Sequence, residues 1–158
     1  MKILETAVVA ERAELLGELA AELPLQKERI LDIDVYRLEI DEDLAILMYH
    51  LDEDQKIAPE MMDHLQEHLG AFLVVADNPG GNGFFPGAEA AEELARRLEG
   101  RPTVVAVKSD TDALKLLNAD IRSAGFFLSP KGRVMFWNAA SPASRRQVWN
   151  TLWQSLQS

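Results

Sequence analysis

Several features that define common protein classes are missing from this chain of 158 residues. It contains no cysteine, which excludes disulfide bonds, thiolate metal sites and a cysteine nucleophile. It has no apolar run near the roughly 20 residues that span a bilayer. Residues 1–5 also lack the apolar segment of a signal peptide. These absences predict a cytoplasmic protein without membrane insertion.

Positive charge is also scarce. The chain has 16 lysines and arginines against 26 aspartates and glutamates, which gives a formal net charge of −10 at pH 7. Such a charge repels nucleic acid and anionic membranes unless a local basic patch offsets it. The pairs Arg96-Arg97 and Arg145-Arg146 fall in predicted helices, where they are typical of solvated faces. The sequence therefore predicts that the protein does not bind nucleic acid.

Short apolar strands alternate with helical segments along the chain. Ala71–Ala76 and Thr103–Val107 lack polar alternation, as expected for strands that are covered on both faces. Val35–Ile40 and Leu44–Tyr49 are separated by three acidic residues and are predicted to form an antiparallel pair. This order favours one α/β domain over residues 1–158, with three layers and a mainly parallel, doubly wound sheet of about six strands. Val35–Ile40 is predicted to be its antiparallel edge strand.

The other predicted elements follow from apolar periodicity and from the positions of proline and glycine. They are a strand at Lys2–Thr6, helices at Ala10–Leu23, Pro59–Leu69, Ala88–Leu98, Asp112–Asn118 and Pro142–Leu156, and a hairpin of Phe126–Leu128 with Arg133–Trp137.

Three segments, taken in order, resemble the bacterial Ras-like GTPases of the gliding-motility type. Asp34–Leu44 resembles that branch's Asp-Phe-Gly-Arg segment followed by Leu-Asp-Glu-Asp-Leu. Gly70–Asp77 resembles the family's Gly-Ala-x-x-Val-Val-Asp strand, and Pro102–Val107 resembles the strand before its guanine-binding motif. The resemblance implies a Ras-like P-loop NTPase fold.

The nucleotide-binding motifs of that family have no counterpart here. A phosphate loop needs glycine amides, a lysine and a Ser or Thr hydroxyl, and Ala7–Glu14 contains none of them. The switch that carries the family's Gly and Gln aligns with His50–Asp54, the Asn-Lys-x-Asp motif with Lys108–Thr111, and the Ser-Ala loop with Asn138–Ala140. Their joint loss predicts a pseudo-GTPase with no catalytic residue and no cofactor.

The resemblance also implies a partner surface. Regulators of the roadblock type often engage the switch face of the resembled family, and the predicted edge strand would leave backbone groups free to accept another strand. We therefore predict a small protein partner, of roadblock type or another small regulator. Its predicted contacts are Tyr36, Arg37, Asp52, Glu53 and Asp54.

The glycine-rich loop that follows Ala71–Ala76 supports two alternatives. Gly80–Gly83 lies between a predicted strand and a predicted helix, so it could cradle a nucleotide in an unorthodox site. Phe84 and Phe85 are adjacent aromatics in the same loop and could contact a partner instead.

One candidate metal site remains as a weaker alternative. Glu60, His64 and His68 share one face of a predicted helix and could serve a small metal-dependent enzyme. The commoner interpretation of such a row is a solvated polar face, because no fourth ligand is evident. No Ser-His-Asp or Cys-His set can be assembled from the chain.

Overall fold

The computed structural model describes residues 1–10, 13–51, 57–76, 96–97, 100–108 and 132–157. Within these ranges the chain forms seven strands and three helices with described bounds. The strands are β1 (Lys2–Ala10), β2 (Gln26–Ile30), β3 (Ile33–Glu39), β4 (Leu44–Leu51), β5 (Leu69–Ala76), β6 (Thr103–Lys108) and β7 (Gly132–Trp137). The helices are α1 (Ala13–Leu19), α2 (Pro59–His68) and α3 (Pro142–Gln157).

The strands form one sheet in the order β2-β3-β4-β1-β5-β6-β7. The five strands from β4 to β7 in that order run parallel to one another, and β3 is antiparallel to both β2 and β4. α1 and α3 pack on one face of the sheet and α2 on the other. The predicted α/β fold class with a mainly parallel sheet is therefore confirmed, whereas the prediction of a single domain stays a prediction.

β1 is longer than predicted and α1 is shorter. The strand continues to Ala10, because Ala7, Val8 and Val9 are at most 2% exposed between β4 and β5 and beneath helices on both faces. α1 begins at Ala13 instead of Ala10 and ends at Leu19. A continuous apolar run fits a fully covered strand or a helix equally well from sequence alone.

The antiparallel edge of the sheet also differs from the prediction. β3 pairs with β4 on one side and with β2 on the other, so the assignment of Val35–Ile40 as the edge strand is wrong. The edge strand is β2, which brings the sheet formed by the described residues to seven strands. All five residues of β2 are exposed, and it is held by pairing with β3. Sequence patterns detect strands through a buried face, which β2 lacks.

A two-residue turn joins β2 to β3. Leu31 and Asp32 both have positive φ, at 48° and 65°, as a type I′ hairpin turn requires. Aspartate tolerates this left-handed conformation, whereas for leucine it costs roughly 1–2 kcal/mol. The turn contains no glycine or asparagine, which are the residues that normally identify such a hairpin from sequence.

Leu31→Asn is expected to stabilise the protein. Asparagine adopts positive φ more readily than leucine, so the free energy of unfolding should rise by about 0.5–1 kcal/mol. Urea denaturation measures the change. Ile30→Asn, one residue earlier and inside the strand, is the control and should give no gain. A lower denaturation midpoint for Leu31→Asn than for the unmodified chain would contradict this account of the turn.

At the other end of the sheet, β7 runs parallel to β6. The predicted strand Arg133–Trp137 is confirmed, with β6 as its neighbour. Its predicted hairpin partner Phe126–Leu128 lies outside the described residues, as do Asp112–Asn118 and most of Ala88–Leu98. α2 and α3 begin at the predicted residues, Pro59 and Pro142.

Candidate functional site

The carboxyl ends of the parallel strands mark the edge of the sheet where ligands bind in open α/β folds. β1 ends at Ala10 and α1 begins at Ala13, so only residues 11 and 12 connect them. A phosphate loop needs about eight residues to place its glycines, lysine and hydroxyl. The connection is too short for such a loop, in agreement with the missing motif in Ala7–Glu14.

Two glutamates on or just after α1 form ion pairs with cations from the C-terminal half of the chain. The Oε2 atom of Glu18 lies 2.7 Å from the Nζ atom of Lys108, the last residue of β6. The Oε1 atom of Glu22 lies 2.7 Å from the Nη2 atom of Arg145 on α3. Both cations are therefore neutralised within the chain, which weakens the positive potential that a phosphate group would need at this edge.

The loop between β7 and α3 is held by the chain's own side chains. Arg145 donates through Nη1 to the carbonyl oxygen of Ala139. The Ala140 amide donates to Oδ1 of Asn138 at 2.8 Å, and the Asn138 amide donates to Oγ of Ser144 at 3.0 Å. These bonds satisfy backbone groups of the segment that aligns with the Ser-Ala loop, so the segment is fixed without a ligand.

Arg145 does not lie on a solvated face as predicted. It is 8% exposed, whereas the adjacent Arg146 is exposed. The reason is helical spacing: Val148, Trp149 and Leu152 follow Arg145 at three, four and seven residues, and all three are buried. The Arg145 side chain therefore lies on the buried face of α3, together with this apolar stripe.

A second polar group lies on the opposite face, between the sheet and α2. Tyr49 on β4 donates its hydroxyl to Oε1 of Glu5 on β1 at 2.5 Å. The Nε2 atom of His64 on α2 lies 2.9 Å from the same oxygen. Burial, and then the hydrogen bond and charge of Glu5, raise the pKa of Tyr49. Tyr49 therefore keeps its proton to a higher pH than an ordinary tyrosine does, and this cluster of three side chains links α2 to two strands of the sheet.

The metal-site alternative gains no support from this geometry. The ranges described above contain no group of three or more His, Asp or Glu side chains that could hold a metal ion. His64 directs Nε2 to Glu5, and its ring packs 4.5 Å from that of His68, measured between centroids. His68 in turn lies 3.9 Å from Glu67.

The predicted partner residues Tyr36 and Arg37 lie next to each other on β3, and their side chains point to opposite faces of the sheet. The half-buried Tyr36 lies on the α1 face, with its ring 6.1 Å from that of His50. Arg37 lies on the other face, where its Nε atom is 3.5 Å from Glu39. The two side chains do not form one patch within β3.

The remaining predicted site residues lie outside the described residues. They are Asp52, Glu53 and Asp54 of the switch-like segment, Phe84 and Phe85 of the alternative partner loop, and the Gly80–Gly83 loop. Their roles stay predictions.

The sequence analysis singled out His64 and Arg145 for other roles, and it missed Glu5, Glu18, Glu22 and Tyr49, with which the structure groups them or their neighbours. Glu18 and Glu22 are four residues apart, a spacing that puts both carboxylates on one side of a helical segment. That spacing is the only local signal, because their partners are far away in the chain. Glu5 and Tyr49 sit within β-prone and apolar segments, where nothing marks them.

None of the helices within the described ranges is long and apolar enough to cross a membrane.

Comparison with known proteins places the chain by its fold. No family model matches the chain, and no curated protein matches it in sequence. Among the solved structures that match is the crystal structure of a point variant of Aquifex aeolicus Era bound to GDP·AlF4−. It is 14% identical, with a TM-score of 0.53 over 99% of this chain and 57% of that chain. The chain thus spans little more than half of that structure's length. At this identity the match shows the fold alone, a P-loop GTPase-like α/β fold.

Proposed function

We propose that the chain is a pseudo-GTPase, a non-catalytic protein-interaction module that keeps a GTPase-like fold and lacks nucleotide chemistry. The observation that carries this proposal is that β1 ends at Ala10 and α1 begins at Ala13, so that only residues 11 and 12 lie between them in the chain. GTPases bind the triphosphate through glycine amides, a lysine and Mg²⁺ at this connection. At this connection, Ala7–Glu14 contains no glycine, no lysine and no hydroxyl residue that could bind Mg²⁺.

The electrostatics of the same edge support the proposal. A triphosphate needs uncompensated positive charge, and here Lys108 is paired with Glu18 and Arg145 with Glu22. The formal net charge of −10 adds a further repulsion. We interpret the chain as a degenerate relative of the gliding-motility branch of Ras-like GTPases, cytoplasmic and built as a single domain.

The proposed partner is a small protein, of roadblock type or another small regulator, that contacts the switch-like face. We define this face by the predicted contacts Tyr36, Arg37, Asp52, Glu53 and Asp54. Because Tyr36 and Arg37 point to opposite faces of β3, a partner that contacts both must reach both faces of the sheet. Because no nucleotide gates the switch-like face, we expect it to be constitutively competent for binding.

Charge reversal tests this face. Glu53→Lys combined with Asp54→Lys should slow association with the partner strongly at low salt and weakly at high salt, because exposed charges act over about 10 Å at 0.1 M. Surface plasmon resonance at several salt concentrations gives the association rates. The matched control is Glu42→Lys with Asp43→Lys, two exposed carboxylates at the opposite end of β4. An unchanged rate in the first variant, with binding abolished by Phe84→Ala and Phe85→Ala, would move the contact to the glycine-rich loop.

A further inference from the structure

The outer edge of β2 is open to solvent. β2 is the last strand on its side of the sheet, and all five of its residues are exposed. The turn closes with Ile30 opposite Ile33, and in a type I′ turn this pair is hydrogen-bonded. Because hydrogen-bonded pairs alternate along an antiparallel ladder, the backbone N–H and C=O groups of Lys27 and Arg29 point away from β3. In the described part of the chain no strand pairs with them.

The side chains along this edge alternate in charge. Lys27 and Arg29 lie on the same face as Asp34, at 3.6 Å and 3.3 Å from its carboxylate. One carboxylate faces two cations, so these three side chains together carry one net positive charge. Glu28, between them in sequence, lies on the opposite face. A strand laid along β2 would therefore meet positive, negative and positive side chains in succession.

This charge order disfavours a second copy of the chain as the occupant. Two copies related by a two-fold axis would pair their β2 strands antiparallel, with residues of the same face opposite each other. If the two-fold axis passes beside Lys27, Glu28 or Arg29, that residue lies directly opposite the same residue of the other copy. If it passes beside Glu28, each Lys27 also lies opposite the Arg29 of the other copy. Like charges directly opposite are destabilising.

The edge is nevertheless a regular one. Its five residues keep an uninterrupted register with β3 from Gln26 to Ile30, without a bulge. It also contains no proline, a residue that cannot donate a backbone hydrogen bond to an added strand. Of the features that disfavour strand pairing at an edge, β2 has its charged side chains but neither a bulge nor a proline. Charged side chains do not disfavour a strand that carries the complementary charges.

We propose that the outer edge of β2 accepts an extended segment of another protein in which two acidic residues flank one basic residue. The acidic side chains would lie opposite Lys27 and Arg29, and the basic one opposite Glu28. The pattern reads the same in both directions, so it suits a parallel or an antiparallel strand. This inference rests on the proposed function as an interaction module and moves the strand-accepting edge from β3 to β2.

The test uses two synthetic seven-residue peptides that differ only in their centres, Glu-Lys-Glu in one and Lys-Glu-Lys in the other. NMR titration of the full chain measures the dissociation constants and identifies the perturbed amides. We expect the Glu-Lys-Glu peptide to bind about tenfold more tightly at low salt, from three cross-strand charge pairs. The difference should shrink at about 1 M salt. The largest amide shifts should fall on Lys27 and Arg29.

Two matched variants separate the backbone contribution from the charge. Arg29→Pro removes an outward N–H without removing a hydrogen bond to β3, and it should abolish binding. Arg29→Gln keeps that N–H and should lose only part of the preference for the acidic peptide. A Glu-Lys-Glu peptide N-methylated at every residue, and so on both edges, leaves the protein untouched and should bind at least tenfold more weakly in either orientation.

Equal affinity for the two peptides, undiminished binding of the N-methylated peptide, or no binding of the Glu-Lys-Glu peptide would each overturn the proposal. None of these results bears on nucleotide binding, so they leave the pseudo-GTPase assignment intact. Conversely, tight binding of a nucleotide would overturn that assignment without changing the peptide result.

Discussion

Tyr49→Phe is expected to lower the free energy of unfolding by about 2 kcal/mol at pH 7. The Tyr49 hydroxyl is a donor to the Glu5 carboxylate, and a hydrogen bond to a charged acceptor contributes about 1.5–3 kcal/mol. Glu5 is 11% exposed, so water replaces the lost donor poorly. His64 remains beside the same carboxylate, which keeps the loss from being larger. Urea denaturation measures the difference.

The same substitution should change how stability depends on alkaline pH. Burial and Glu5 raise the pKa of Tyr49 in the folded protein, so above pH 10 the unfolded chain loses this proton while the folded chain keeps it. The stability that Tyr49 contributes is therefore fully present below pH 10. It then declines by about 1.4 kcal/mol per pH unit as the pH rises toward the folded pKa. The difference between the unmodified chain and Tyr49→Phe should shrink accordingly.

Tyr36→Phe is the matched control, because it leaves Tyr49 and Glu5 in place. It should retain the alkaline loss that Tyr49 causes. A constant difference between the unmodified chain and Tyr49→Phe from pH 8 to about pH 11 would contradict the link between Tyr49 and Glu5.

Arg145→Met should destabilise the protein by about 2 kcal/mol. The substitution leaves the Ala139 carbonyl without its donor and Glu22 without its cation. Removing one partner of a fully buried pair costs about 3–5 kcal/mol. The value is lower here because the Glu22 side chain is 50% exposed and can be hydrated. Thermal and urea denaturation both report the loss.

The adjacent arginine provides the control. Arg146 is exposed on the same helix, so Arg146→Met should change the free energy of unfolding by less than about 0.5 kcal/mol. Glu22→Gln should fall between the two, because Arg145 keeps its bond to Ala139. Equal effects of Arg145→Met and Arg146→Met would mean that the contacts of Arg145 do not stabilise the fold.

The parts of the fold that could be predicted are those in which burial determines the sequence. β5 and β6 are continuous apolar runs because helices or neighbouring strands cover them, and α2 and α3 carry apolar stripes at helical spacing. β2 has no buried residue and no glycine in its turn, so neither burial nor turn chemistry reveals it. The β1–α1 boundary falls inside an apolar run, where the sequence pattern does not distinguish a strand from a helix.

The candidate site divides in the same way. The missing phosphate loop is a local property of Ala7–Glu14 and can be read directly from the sequence. The pairs Glu18–Lys108 and Glu22–Arg145 join residues far apart in the chain, and only the order of the strands brings them together. The sequence of a basic pair in a helix also does not show which of the two side chains is exposed. Arg146 is exposed, whereas Arg145 is buried.

Isothermal titration calorimetry of the purified chain with GTP, GDP, ATP and NAD, each with Mg²⁺, tests the central claim most directly. A nucleotide-binding GTPase treated in the same way provides the positive control. The pseudo-GTPase account predicts no binding at ligand concentrations up to about 1 mM, which corresponds to less than about 4 kcal/mol of binding free energy. Micromolar binding of any of the four nucleotides would contradict it. If replacing Gly80, Gly81 and Gly83 by alanine then abolished that binding, the nucleotide site would lie at the glycine-rich loop.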